Sequence, residues 1–115
     1  MTSYRLNAEC LECGRRFTRL PFQAREFCSA QCRQGWNNRR LQRGAELYDL
    51  YMAHRFERAD AKALGVFQAI NRLASDFRAE DRERRAGRRS WRKPRAVIAE
   101  RPYLKAIATQ VRAGR

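Results

Sequence analysis

Apolar residues recur at helical spacing through the middle of the chain. Between residues 60 and 84 they fall within about 120° of one another on a helical wheel, which is typical of an amphipathic helix. These positions are Ala63, Val66, Phe67, Ile70, Leu73, Ala74 and Phe77. Asp60 is a suitable N-cap for this helix, which predicts a helical hairpin with the stretch before it. One continuous helix is the alternative, because neither Gly nor Pro interrupts residues 56–60.

Residues 45–57 are also predicted to be helical, but their apolar side chains lie on two faces. One face carries Leu47, Leu50, Tyr51 and His54, and the other carries Tyr48, Met52 and Phe56. This is more apolar surface than an ordinary solvated helix has. The stretch is therefore either buried between two layers or part of a homodimer interface. His54 is predicted to be a packing or interface residue.

The residues before this region predict a small β-hairpin followed by a helix. Residues 15–27 alternate loosely between polar and apolar side chains, and Pro21 interrupts them. We therefore expect a short hairpin there, after an irregular start to the chain. Ser29 is a suitable N-cap and Gly44 a suitable stop, which predicts a helix over residues 30–43.

The residues after the helical region are strongly basic. Residues 82–95 contain eight cations and a single aromatic residue, Trp91, which predicts a solvated arm. Pro102 favours the first turn of a short C-terminal helix. The apolar residues of that helix are Tyr103, Leu104, Ile107 and Val111. The chain thus divides into an N-terminal domain (residues 1–43), a helical region (44–84) and a basic arm with a short helix (85–115).

Four cysteines in the N-terminal domain form two close pairs. Two residues separate Cys10 from Cys13, three separate Cys28 from Cys32, and fourteen lie between the pairs. Such pairs predict a closed tetrahedral site for one structural Zn²⁺. The second pair lies across a helix start, where the helix dipole favours thiolates. The predicted fold is mainly α, with a small N-terminal treble-clef zinc knuckle (a short β-hairpin plus a helix), then a helical hairpin or long helix and a basic C-terminal arm.

The stretch Arg25-Glu26-Phe27-Cys28-Ser29-Ala30-Gln31-Cys32-Arg33 resembles one half of small bacterial treble-clef zinc knuckles. Residues 10–36 as a whole are similar to the small zinc-binding bacterial DNA gyrase inhibitors, which also carry a Trp after the last cysteine pair. The resemblance implies a zinc site, a treble-clef fold and a protein target, together with a disordered and rather acidic tail. This chain has a strongly basic tail instead, and its helical region has no counterpart in that family.

The charge of the chain indicates a polyanionic partner. Lys and Arg number 26 against 12 Asp and Glu, a formal net charge of +14. One Zn²⁺ with four thiolates lowers this to about +12, which still attracts polyanions strongly. Residues 1–43 carry nine arginines and three glutamates, and residues 84–115 carry eleven cations and one acid, so the excess lies at the two ends. All but three of the cations are arginines, which bind phosphate bidentately and stack on bases.

Two elements are predicted to contact nucleic acid. Arg33, Asn37 and Arg40 form a stripe on the helix over residues 30–43, facing away from the metal. Arg–guanine and Asn–adenine pairs are common in the major groove. The arm can follow a phosphate backbone, with Trp91 stacking on a base or entering the minor groove. Its predicted contact residues are Arg84, Arg85, Arg88, Arg89, Trp91, Arg92, Lys93 and Arg95. The alternatives are a solvated or protein-docking helix face and a solubilising linker.

These features predict a small zinc-binding DNA regulator of bacterial type, with DNA favoured over RNA as the partner. The alternative is a protein-binding adaptor or inhibitor of a nucleic-acid machine such as gyrase, RNA polymerase or the ribosome. An enzyme is not expected, because the sequence holds no Ser/His/Asp set, paired catalytic carboxylates or phosphate-cradling glycine loop. The lack of a membrane-length apolar run or signal-peptide core predicts a cytoplasmic protein, associated with the nucleoid or the ribosome.

Overall fold

The computed structural model describes residues 4–104 as a two-stranded hairpin followed by four helices. Strands β1 (Leu6–Glu9) and β2 (Arg16–Arg19) pair antiparallel, with Ala8 opposite Phe17. The helices are α1 (Ala30–Phe56), α2 (Arg58–Leu64), α3 (Val66–Arg84) and α4 (Pro94–Glu100). The predicted fold class, mainly helical with a small hairpin at the start, is confirmed. Within residues 4–104 no helix combines the length and apolar character needed to cross a membrane.

The β-hairpin lies earlier in the chain than predicted. We expected it within residues 15–27, whereas β1 precedes the first cysteine pair and residues 10–15 form the turn of the hairpin. The backbone N–H of Cys10 donates to the carbonyl of Arg15, and that of Gly14 donates to the carbonyl of Cys10, both at 2.9 Å. Gly14 has a φ of 77°, which glycine adopts without strain. Four residues of loose alternation are too few to identify β1 from the sequence.

Helix α1 is one continuous helix of 27 residues, so the predicted end at Gly44 is wrong. The predicted N-cap is confirmed, because Ser29 Oγ accepts a hydrogen bond from the backbone N–H of Cys32 at 3.2 Å. A glycine inside a helix costs about 1 kcal/mol relative to alanine, which tertiary contacts can offset. Arg43, immediately before Gly44, supplies such a contact by donating to Asp81 of α3.

Helices α1 and α3 pack antiparallel and form a helical hairpin, as one of the two alternatives predicted. Arg43 of α1 lies against the end of α3, and His54 stacks on Phe67 near the start of α3, with ring centroids 5.6 Å apart. The connection differs from the prediction. Helix α2 intervenes, and Gly65, with a φ of 71°, separates it from α3. Asp60 lies inside α2 and caps no helix.

The apolar core is small. Among the described residues the buried apolar side chains are Cys10, Trp36, Ala61 and Val66, and the buried polar ones are Arg39, Asp81 and Ser90. The molecule measures 64 × 41 × 18 Å, so its shortest dimension is about the width of two helices. With so few buried apolar side chains, polar contacts are expected to contribute a large part of the stability.

Part of the arm folds back onto the rest of the protein, so the expectation of a solvated stretch over residues 82–95 holds at most of its positions and fails at Arg88, Ser90 and Arg92. Helix α3 continues to Arg84, and a helix that was not predicted, α4, begins at Pro94; the predicted helix start at Pro102 agrees with the structure. Between α3 and α4, Ser90 is buried. Residues 102–104 are also helical, while Ile107 and Val111 of the predicted C-terminal helix lie outside the described residues. The sequence showed no apolar pattern here because polar side chains make the contacts.

Candidate metal centre and basic surface

The four cysteine sulfurs meet where the β-hairpin joins α1. Cys10 and Cys13 lie in the turn between β1 and β2, Cys28 precedes α1, and Cys32 lies in its first turn. All four Sγ atoms are within 4.8 Å of one another, and Cys28 Sγ lies 3.6 Å from the sulfurs of both Cys13 and Cys32. Tetrahedral coordination at a metal–sulfur distance of about 2.3 Å requires sulfurs about 3.8 Å apart. The four thiols are therefore placed to bind one tetrahedral metal ion.

The thiols differ in how readily they ionise. Burial favours the neutral form of Cys10, but the backbone N–H groups of Cys13, Cys28 and Glu12 donate to its sulfur and lower its pKa to about 6. Ser29 stabilises the thiolate of Cys32, but burial and the sulfurs of the other three cysteines raise its pKa to about 12. Four thiolates at this spacing need a cation among them, because their mutual repulsion otherwise keeps some of them protonated.

A buried ion pair and an aromatic contact fix the cysteine-bearing turn to α1. Arg39 donates to the two carboxylate oxygens of Glu12 at 2.9 and 2.6 Å. Gly35 makes room for this pair, since a Cβ there would lie only 3.0 Å from Glu12 Oε2. Phe27 contacts Trp36 at a centroid distance of 5.9 Å, and Trp36 is only 2% exposed. The orientation of the metal site relative to α1 is thus set by side chains on both elements.

A buried polar cluster joins α1, α3 and the arm. Ser90 Oγ accepts from Arg39 Nε at 2.8 Å and donates to Asp81 Oδ1 at 3.0 Å. Arg43 donates to both carboxylate oxygens of Asp81, at 3.2 and 3.0 Å. The complete cluster is Glu12, Arg39, Arg43, Glu80, Asp81, Arg85 and Ser90. It replaces an apolar core at this end of the molecule.

Asp81 is the centre of this polar cluster and is fully buried. Burial acts to raise the pKa of its carboxyl group, but hydrogen bonds from Arg43 and Ser90 and the charges of Arg43 and Arg85 hold it below its ordinary value. Our sequence reasoning missed this residue. The available signal was its position four residues after Phe77, where an acid continues the apolar stripe of α3.

Three further arginines hold the arm in place. Arg88 donates to the carbonyl of Cys13, and its guanidinium occupies the space beside Gly14, where a Cβ would lie 2.6 Å from Arg88 Cζ. Arg92 donates to both carboxylate oxygens of Glu26. Arg40 donates to the carbonyl of Ser90 at 2.9 Å. Burial, followed by the neighbouring charges of Arg92, Arg101 and Arg39, lowers the pKa of Arg40.

The predicted nucleic-acid contacts fall into two groups. Arg40, Arg85, Arg88 and Arg92 are partly buried and donate to groups of the protein itself. We call the others the exposed set: Arg33, Asn37, Arg84, Arg89, Trp91, Lys93 and Arg95. Among residues 4–104, none of the cations in the exposed set forms an ion pair. The four partly buried arginines hold the arm and the helices together, and the exposed set lies on the surface of this part of the protein.

The outer side of α1, opposite α3, is apolar and exposed. We call its four large side chains the outer stripe: Leu41, Tyr48, Met52 and Phe56. Leu41 and Phe56 are 71% and 72% exposed. Among the described residues nothing lies within 4 Å of the position a Cβ would take on Gly44, so small residues leave a shallow gap in the stripe. His54 lies on the other side of α1 and packs on Phe67, as predicted.

Comparisons with protein-family models, with curated proteins and with solved structures found no match to the chain. The cysteine cluster and the hairpin-then-helix arrangement fit a metal-binding knuckle. The similarity of residues 10–36 to the gyrase inhibitors stays a prediction from the sequence.

Proposed function

We propose that the protein is a zinc-stabilised nucleic-acid-binding protein that acts as a small DNA-binding regulator and not as an enzyme. The observation that carries the proposal is the division of its cations. Four arginines near the cysteine-bearing end form ion pairs among the described residues, while the exposed set is left free at the same end of the molecule. Unpaired arginines on an ordered frame are suited to phosphate, because their binding orders few additional groups.

Zinc is the metal that best suits the site. Four thiolates at tetrahedral spacing form a closed structural zinc centre, in which the metal has no free coordination position for chemistry. When bound, the ion supplies folding free energy to an end of the protein with little apolar core. Metal analysis of protein purified without added zinc should find one zinc per chain. A folded chain that contains no metal would contradict this part of the proposal.

The start of α1 is suited to reading bases. Arg33 and Asn37 are both exposed and lie four residues apart, hence on one face of the helix. Arg and Asn are the side chains that pair bidentately with guanine and adenine in the major groove. Arg40 is the third residue of the predicted stripe. It donates to the carbonyl of Ser90 in the arm, so its side chain fixes the arm against α1.

The test is the salt dependence of binding to duplex DNA, measured with two matched triple variants. In the first, Arg84, Arg89 and Lys93 of the exposed set become alanine. In the second, Arg55, Arg58 and Lys62 at the far end of the helical hairpin become alanine, which removes the same number of exposed cations that form no ion pair in the described part of the chain. We expect the slope of log affinity against log salt to fall by about 3 in the first variant, since each phosphate contact contributes about 0.9.

The far-end variant is the control and should change that slope little. Equal effects of both variants would show attraction by net charge alone, without a defined contact surface. Absence of DNA binding by the unmodified protein would overturn the proposal. Competition with structured RNA of equal length tests the preference for DNA, because tighter binding to RNA would replace the regulator with an RNA-binding protein.

The outer stripe favours a second candidate function, a protein-binding adaptor or inhibitor that acts on a nucleic-acid machine. Large apolar side chains exposed together on one helix face are uncommon on a monomer and often mark a protein contact. A pull-down with and without nuclease separates the candidates: a single protein partner that survives digestion and high salt favours the adaptor. Light scattering tests whether the stripe joins two copies of this chain instead.

A further inference from the structure

A cleft of about 520 Å³ lies between the cysteine-bearing turn on one side and the arm and α3 on the other. Leu11 and Gly14 line it from the turn, Arg78 from α3, and Arg89 and Trp91 from the arm. Sites for small ligands commonly measure about 300–1,000 Å³. The cleft is therefore large enough for one nucleotide and much too small for a duplex.

The lining of the cleft combines an aromatic ring with guanidinium groups. Trp91 is 45% exposed, whereas Trp36, the other tryptophan, is buried. The guanidinium carbons of Arg78 and Arg89 each lie 5.9 Å from the centroid of the Trp91 ring. Arg78 is held in place because it donates to the carbonyl of Gly87 at 3.1 Å. A hydrogen-bonded, partly buried cation and an exposed one thus flank an accessible ring.

Arg88 adds a third guanidinium to the lining of the cleft. Its side chain donates to the carbonyl of Cys13, so its charge is held beside the cysteine-bearing turn. Glu9 is the one carboxylate at the rim, and it forms no ion pair in the described chain. The charge of the cleft is therefore positive overall.

We propose that this cleft holds one unpaired nucleotide of a bound nucleic acid, with its base against Trp91 and its phosphate against Arg78 and Arg89. The inference rests on the proposed nucleic-acid binding and adds the place and the form of the contact. A base inside a duplex is stacked on both sides and cannot reach Trp91, so the nucleotide must be bulged or single-stranded. The protein then prefers nucleic acid with an extruded base over a fully paired duplex.

The experiment compares two DNA hairpins, each closed by a non-nucleotide linker so that neither has loop nucleotides, which differ by one unpaired thymidine in the stem. We expect the bulged hairpin to bind about 5- to 100-fold more tightly, the range that stacking of one base on an aromatic side chain produces. Trp91 emission should be quenched by the bulged hairpin only. Trp91→Ala should remove both the preference and the quenching, while Trp91→Phe should keep most of the preference.

The controls separate this inference from the proposed function. Arg89→Ala should lower affinity for the bulged hairpin more than Arg82→Ala, which removes the same charge from an exposed position outside the cleft. Equal affinity for the two hairpins with unchanged Trp91 emission would overturn the cleft site and leave duplex binding intact. No binding to either hairpin would overturn both proposals. An unchanged unfolding midpoint for Trp91→Ala shows that the variant is folded.

Discussion

The two ends of α1 are stabilised in opposite ways. At the metal end, near the cysteines, arginines lie inside: Arg39 is buried, and Arg43 reaches the fully buried Asp81. At the distal end, where α2 joins the helices, aromatic side chains lie outside, and Phe56 is 72% exposed. At these positions the usual relation between polarity and burial is reversed, whereas Trp36 of the same helix is buried as an apolar side chain usually is.

A chain with a small apolar core can thus hold one end in a single arrangement through polar contacts and expose large apolar side chains at the other end. The contacts of the metal end join residues far apart in sequence, such as Arg39 with Glu12 and with Ser90. Each contact needs its partner at one position, so together they specify a single arrangement. The distal end relies on a few apolar contacts, such as those of Ala61 and Val66 and the stacking of His54 on Phe67, and leaves the outer stripe exposed.

Removing the metal should have the largest effect and should affect only one end. We expect Cys10→Ser, or chelation, to disorder the cysteine-bearing turn and release the arm, because Arg88 and Arg92 lose their partners there. Structural zinc contributes about 10–16 kcal/mol in small zinc domains. Near-ultraviolet circular dichroism should lose the Trp36 signal while most helicity remains. Complete loss of helicity would show that the two ends fold as one unit.

Asp81→Asn should have the next largest effect, about 3–5 kcal/mol in the free energy of unfolding. It removes the fully buried carboxylate that Arg43, Arg85 and Ser90 contact, and leaves Glu80 as the one carboxylate that Arg43 contacts among the described residues; breaking a buried ion pair typically costs this much. Asp76→Asn is the matched control on the same helix, because its pair with Arg72 is exposed and worth about 0–1 kcal/mol. Urea unfolding measures both. Similar costs for the two variants would exclude a central role for the polar cluster.

Acid should weaken the same cluster. The pKa of Asp81 is held below its unfolded value, so its contribution to stability is present above the unfolded pKa of about 3.9 and is lost as pH falls through the folded pKa. Unfolding midpoints of the unmodified protein should therefore fall with pH below about 4. Asp81→Asn should show less of this fall. Parallel pH profiles for the two proteins would assign the acid sensitivity to other carboxylates.

The clustering of the four cysteines and the fold class could be predicted from the sequence because both depend on local signals. Cysteine spacing predicts that the four sulfurs meet, and apolar periodicity identifies α3. The N-cap at Ser29 is also local. The predictions failed at glycines, because glycine can either end a helix or lie within one. Gly44 was predicted to end a helix and lies within α1. Gly65 was placed inside a predicted helix and ends α2.

The buried polar cluster could not be predicted, because a charge carries no sign of its partner in a single sequence. Arg88 and Arg89 are adjacent and identical in type, yet one donates to the carbonyl of Cys13 and the other is exposed. Only the fold distinguishes an arginine that holds the arm from one that can bind a ligand. The basic composition therefore indicated a polyanionic partner but overestimated the number of available contacts.

Arg92→Ala and Lys93→Ala should separate these two kinds of cation at neighbouring positions. Arg92 pairs with Glu26, so its loss should cost about 1 kcal/mol of stability and leave the salt dependence of DNA binding unchanged. Lys93 is exposed, so its loss should leave stability within about 0.5 kcal/mol and lower the salt slope by about 1. Thermal unfolding and salt titration measure the two. The opposite pattern would mean that Arg92 leaves Glu26 to bind phosphate.

Polar substitutions in the outer stripe should have the smallest effect on stability. Tyr48→Ser and Phe56→Ser change side chains that are largely exposed, so the free energy of unfolding should change by less than about 1 kcal/mol. Leu50→Ala, on the half-buried side of α1, is the comparison and should cost about 2 kcal/mol or more. Light scattering and pull-downs on the two serine variants should show loss of self-association or of a protein partner with stability retained. If the serine variants unfold as readily as Leu50→Ala, the outer stripe belongs to the fold of the monomer and is not a surface for a partner.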